Sequence, residues 1–178
     1  LGSPSVTIAV GSSYSDSGAI AFDNVDGNVS GSIVKSGSVN TAVTGSYTIT
    51  YNVKDSSNNS ASPVTRTVNV VDNQAPVITV NGANPQTITV GSAYTELGAT
   101  VTDNYSVGLS ATINSSAVNT SVVGSYTVTY NVTDGSGNAA TLPQRFYIIG
   151  GVLTQEYSRI NEYRLPSYHR LDLSATLS

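Results

Sequence analysis

Side-chain oxygens gather in this chain at short intervals, and the chemistry they suit is the binding of a hard cation. Asp23-Asn24-Val25-Asp26-Gly27-Asn28 places carboxylate and amide groups in one short loop. Calcium takes about six to eight such oxygens. Asp103-Asn104 repeats the theme in a later loop, and Asp72 opens the run Asp72-Asn73-Gln74-Ala75-Pro76. Asp and Asn are equally the residues of plain turns. Asp23, Asp26, Asp72 and Asp103 therefore carry two readings, calcium ligands or turn formers. Other chemistries lack their parts. Cysteine is absent, His169 is the sole histidine, and no serine lies in a Gly-x-Ser-x-Gly elbow. The acid pair Asp23 and Asp26 sits in a Gly/Asn turn, a poor setting for general acid–base work. No enzyme is expected, no catalytic residue is assigned, and no cofactor is expected beyond calcium.

The elements that position these residues occur twice. Gly45-Ser46-Tyr47-Thr48-Ile49-Thr50-Tyr51-Asn52-Val53 returns as Gly124-Ser125-Tyr126-Thr127-Val128-Thr129-Tyr130-Asn131-Val132, 79 residues on. Val39-Asn40-Thr41, Asp55 and Arg66 match Val118-Asn119-Thr120, Asp134 and Arg145 in that frame, while Gly11-Ser12-Ser13-Tyr14 matches Gly91-Ser92-Ala93-Tyr94 in a frame of 80. Repeats of this length form tandem arrays that span distance or present a surface. Within the unit, Tyr47, Ile49, Tyr51 and Val53 alternate with polar residues, as do Tyr126, Val128, Tyr130 and Val132. Period two predicts strands with one buried face. Further strands are expected over 7–10, 64–71, 77–80, 87–90 and 145–149, with turns at Asp26-Gly27-Asn28, 55–59 and 134–138. No helical period precedes the last thirty or so residues. The result is an all-β chain of two tandem β-sandwiches: repeat 1 over 1–72, repeat 2 over 73–149, and an extended or β tail over 150–178. The expected core is Tyr47, Ile49, Tyr51, Tyr126, Val128 and Tyr130. Gly-x-Tyr before an apolar strand fits a tyrosine corner, in which the hydroxyl returns to the backbone. The same tyrosines also fit as ordinary core aromatics.

Charge narrows the partners. The net charge is −4, and up to Pro143 three Lys/Arg stand against eight Asp/Glu. An acidic array is a poor match for nucleic acid or an anionic membrane and leaves cations open. No apolar run reaches the roughly 18 residues of a membrane-spanning helix.

The order Ala75-Pro76-Val77-Ile78, Gly91 to Ala99, Val101-Thr102-Asp103-Asn104, Val118-Asn119-Thr120, Gly124-Ser125-Tyr126 and Asp134-Gly135-Ser136-Gly137-Asn138-Ala139 resembles the bacterial immunoglobulin-like surface domains found in tandem on adhesins, cell-surface proteins and secreted hydrolases. That resemblance covers roughly residues 4 to 149. It implies an extracellular, cell-surface location and a structural or adhesive role, with neighbouring repeats, other copies of the chain, or a cell-surface or host ligand as partners. The connector from Asp72 to Pro76 is similar to acidic-then-proline junctions at which some tandem extracellular sandwiches bind calcium, which adds a calcium-stiffened spacer of a secreted enzyme to the readings. Repeat 1 lacks the Ala-Pro-Val-Ile-Thr-Val opening of repeat 2, so an unpaired sheet edge is expected there.

Beyond Ile149 the composition changes. Tyr163 to Ser174 resembles a barrel segment of TonB-dependent outer-membrane receptors, which implies a membrane setting only if the tail belongs to such a barrel; one or two strands cannot close one. Leu171, Leu173, Ala175 and Leu177 alternate with polar residues. They suit a donor strand completing the sandwich of another copy, an assembly that propagates as a filament.

Overall fold

The computed structural model describes residues 2–151; the assembly residues Leu171, Leu173, Ala175 and Leu177, and the segment resembling a receptor barrel, lie outside them. The described chain is all-β, its one helical element being a 3-10 turn at Ser30–Ser32. Repeat 1 supplies β1 (Ser5–Ala9), β2 (Phe22–Asp23), β3 (Gly27–Asn28), β4 (Val34–Ser36), β5 (Gly45–Asn52) and β6 (Val64–Val71). Repeat 2 supplies β7 (Val77–Val80), β8 (Gln86–Thr89), β9 (Ala99–Thr102), β10 (Thr112–Asn114), β11 (Gly124–Thr133) and β12 (Ala139–Ile149). The strands β2, β3, β4 and β10 are too brief to show a clean alternation, so the sequence pattern passes over them, and β9, in which Ala99 and Val101 alternate with threonine, is not among the expected strands.

One sheet is built twice. Its order is β1-β6-β5-β4 in repeat 1 and β8-β12-β11-β10 in repeat 2. In both, the first strand runs parallel to the last and the central hairpin is antiparallel. The long hairpin strands arise from the alternation of Tyr, Ile and Val with Thr, which suits a half-buried pleated surface.

The hairpins differ by one residue. In repeat 2 the register is unbroken from Gly124↔Ile148 to Thr133↔Ala139. In repeat 1 the ladder runs from Gly45↔Val70 to Tyr51↔Val64, but the isolated bridge Lys54↔Ser60 is one residue out of step with it. An extra residue therefore sits between Ser60 and Val64, the signature of a bulge, beside Pro63. Consequently Ile49 faces Arg66, whereas its counterpart Val128 faces Gln144. The sequence match of Arg66 with Arg145 is corrected: the structural counterpart of Arg66 is Gln144.

The core follows the inward face. Ile49, Tyr51 and Val68 are buried in repeat 1; Ile88, Val128, Tyr130, Phe146 and Ile148 are buried in repeat 2. Tyr47 and Tyr126 are half-buried, packed on these clusters. Each sends its hydroxyl back to the backbone: Tyr47 Oη donates to the Val43 carbonyl at 2.9 Å and Tyr126 Oη to that of Val122 at 3.0 Å. Phe146 stands where repeat 1 has Val68, and meets Tyr94 edge-on with ring centroids 5.2 Å apart.

The second layer separates the repeats further. In repeat 2, β7 pairs antiparallel with β9, and Ile78, Val80 and Ala99 pack on the core. In repeat 1 the stretch corresponding to β9 begins at Ala19, and among the described residues no strand plays the part of β7. Only the short β2–β3 ribbon forms there. Ile20 is 61% exposed and Phe22 71% exposed along this edge.

Candidate metal centre

Three strand ends meet at the junction of the repeats. Asp72 follows β6, Asp103 follows β9 and Asp134 follows β11. One carboxylate oxygen from each lies within 4.8 Å of the other two. Each loop carboxylate first closes its own turn. Asp103 Oδ1 accepts the backbone N–H groups of Tyr105 (2.9 Å) and Ser106 (2.7 Å). Asp134 Oδ1 accepts those of Ser136 (2.9 Å) and Asn138 (2.8 Å), and its Oδ2 accepts the Asn138 side-chain amide at 2.8 Å. These are the local side-chain-to-backbone bonds that make Asp and Asn good turn residues. Burial pushes the Asp134 carboxyl up, but the hydrogen bonds from Asn138, Ser136 and Gly137 outweigh it and hold it below the usual carboxylate value.

The two repeats touch directly around these acids. Asn138 Nδ2 donates to the Asp72 carbonyl at 3.2 Å. The Thr44 N–H donates to Tyr105 Oη at 3.3 Å, and the two hydroxyls lie 3.2 Å apart. Those bonds from Thr44 pull the Tyr105 phenol below its usual value. Pro76, which ends the connector, is buried.

Repeat 1 carries a related cluster, Asp23, Asp26 and Asp55. Asp23 and Asp55 are the counterparts of Asp103 and Asp134, but the third corner is Asp26 of the same repeat. Its oxygens are taken by Ser56, through N–H at 2.7 Å and Oγ at 2.9 Å. The N–H groups of Asp26 and Val25 bond to Asp23 and lower its carboxyl. Sequence reasoning named Asp23, Asp26, Asp72 and Asp103. The structure divides them, placing Asp23 with Asp26 and Asp72 with Asp103, and adds Asp55 and Asp134 to the respective groups. The signal for those two was the shared Asp-x-x-x-Asn turn, Asp55 to Asn59 and Asp134 to Asn138.

A second kind of polar group lies inside each sandwich. Arg66, 5% exposed, donates to Asp16, to Tyr51 Oη (3.0 Å), and to the carbonyls of Ser3 (3.0 Å) and Gly18 (3.1 Å). Tyr51 Oη donates to Asp16 Oδ1 at 2.5 Å, and Lys35 Nζ lies 3.3 Å from Asp16 Oδ2. Burial pushes the Asp16 carboxyl up, yet bonds from Tyr51, Lys35 and the Gly18 backbone, with the Lys35 charge, hold it at about 2. Repeat 2 repeats the plan with Glu96, Tyr130 and Gln144. Tyr130 Oη lies 2.6 Å from both Glu96 Oε1 and Gln144 Oε1, and Gln144 Nε2 donates to the Ala83 carbonyl at 2.7 Å. Every member is partnered within the sandwich, as a network that fixes a core requires.

Two sheets with a hairpin centre, a last strand flanked by a parallel outer strand and a tyrosine corner define an immunoglobulin-like sandwich, present twice. The chain matches the family of the bacterial surface protein Ig-like domain over residues 1–70 and 78–145, and it belongs to that family. It is 34% identical over 142 residues to an uncharacterized 81.3 kDa protein of Acholeplasma phage L2. That match takes in 75% of this chain but only 19% of the phage protein, so the chain spans about a fifth of the length of this relative. Among solved structures it is similar to the lipoprotein BT2262 from Bacteroides thetaiotaomicron, at 17% identity and a TM-score of 0.37, over 83% of this chain and 77% of that one.

Proposed function

We propose that the chain is a non-catalytic structural and adhesive segment of an extracellular protein, two immunoglobulin-like sandwiches held in series as a stiff spacer. The observation that carries this is the junction. A short Pro-containing connector favours a rod over a tether, and the Thr44–Tyr105 and Asp72–Asn138 bonds tie one repeat to the next. Membership of a surface-protein family supports both the location and the structural role. Nuclear spin relaxation on the full 178-residue chain tests the reading. Both repeats tumbling with one shared anisotropic correlation time is the expected result. Independent tumbling of the two would overturn it.

The open edge of repeat 1 favours a second reading, a filament subunit completed by a strand from another copy. Ile20 and Phe22 are exposed where repeat 2 has a paired β9. Electron microscopy of the chain with and without residues 150–178 separates the readings: filaments lost on truncation support donation by the tail, and dispersed particles in both samples reject it.

A further inference from the structure

We propose that Asp72, Asp103 and Asp134 together hold a divalent cation of the calcium class, and that this ion joins the two repeats. Asp72 and Asp134 are each 7% exposed. Asp72 Oδ2 and Asp103 Oδ2 are buried with no hydrogen-bond donor. A buried carboxylate oxygen without a donor or counter-charge is costly and calls for a partner. No side chain supplies one: among the described residues the ion pairs are those of Asp16 with Lys35 and Arg66. Three carboxylates brought together without a basic residue are a gap that a cation fills.

The geometry also selects the ion. Oxygens within 4.8 Å of one another are no farther apart than two oxygens bound across one calcium ion at about 2.4 Å each. An all-oxygen donor set suits calcium or magnesium rather than zinc, which prefers nitrogen and sulfur. Ligands drawn from three separate strand ends suit calcium, which tolerates irregular coordination, better than octahedral magnesium. Because Asp72 belongs to repeat 1 and the other two to repeat 2, the ion binds only when the repeats are docked. The joining role rests on the stiff-spacer reading, whereas the site rests on the carboxylates alone. The cluster in repeat 1 differs, since Ser56 satisfies Asp26.

Calorimetric titration of calcium chloride into the chelator-stripped full chain tests the site, with Asp72→Asn, Asp103→Asn and the control Asp26→Asn, each checked for folding by circular dichroism. Saturable binding is expected between about 10⁻⁶ and 10⁻³ M, weakened at least tenfold in the Asp72 and Asp103 variants and unchanged in the control. Absence of saturable calcium binding to the parent chain, or equal binding by a folded Asp72→Asn chain, would overturn the site. Spin relaxation with and without calcium tests the joining: tighter coupling of the two tumbling motions is expected, and unchanged motions with calcium bound would overturn it. The spacer reading fails on a different result, independent tumbling at saturating calcium.

Discussion

Arg66 of β6 and Gln144 of β12 occupy the same place in the two sandwiches, facing Ile49 and Val128 across the central hairpin. Each reaches the buried tyrosine of its repeat, Tyr51 or Tyr130, and a backbone carbonyl just ahead of the outer strand β1 or β8, that of Ser3 or Ala83. Repeat 1 neutralises its buried acid with a cation; repeat 2 uses tyrosine hydroxyls and backbone.

Arg66→Ala takes from Asp16 the buried one of its two cationic partners, leaving the half-exposed Lys35. Removing one member of a buried ion pair costs about 3–5 kcal/mol. Urea unfolding should show repeat 1 destabilised by about that amount while repeat 2 is unchanged. Arg66→Gln, which copies repeat 2 but retains the shorter Asp16, should recover only part of the loss.

This pair also shows how far the sequence could be read. The hairpin strands were legible because Tyr47 to Val53 and Tyr126 to Val132 alternate over nine residues, and the repeat fixed two copies of one sandwich. The equivalence of Arg66 was misread because both repeats carry an arginine at an offset of 79. A bulge is a property of hydrogen-bond register, and side-chain identity across a one-residue insertion does not reveal it. The junction acids were half legible. Asp72 and Asp103 stood out by composition, but Asp134 joins them only because β6, β9 and β11 end at one pole, a long-range fact that no local spacing encodes.

The pH profile of stability follows from the same network. Asp16 lies at about 2 against an ordinary 3.8, so its folded carboxylate is favoured. Its contribution is present above pH 3.8 and lost as pH falls towards 2, about 2 kcal/mol in all. Burial, then the bond and charge of Asp16, push the Tyr51 phenol up to about 12. That contribution is full below pH 10 and lost as pH rises through 12. Thermal unfolding should show a plateau between about pH 4 and 10 that falls on both sides, and Asp16→Asn should flatten the acid limb.

Phe146→Ala removes the largest apolar side chain from the repeat 2 core, where it is 1% exposed. The cavity should cost about 3–5 kcal/mol. Val68→Ala at the matching place in repeat 1 deletes far less volume and should cost about 1–3 kcal/mol. Chemical denaturation of both variants gives the comparison.

Tyr47→Phe and Tyr126→Phe each leave a carbonyl, Val43 or Val122, without its hydroxyl donor. Both acceptors lie on exposed residues, where water replaces the donor. Each change should cost about 1 kcal/mol, seen as a small fall in melting temperature with the fold intact.

The parallel pairing of β1 with β6 sets how repeat 1 meets mechanical tension. The strand that enters repeat 1 lies beside the strand that leaves it, in register from Ser5↔Thr67 to Ala9↔Val71. A pull on the two ends of the array slides these neighbours past each other along their length. The ladder bonds then share the force and must yield together, whereas a hairpin pulled open from its ends would unzip one bond at a time.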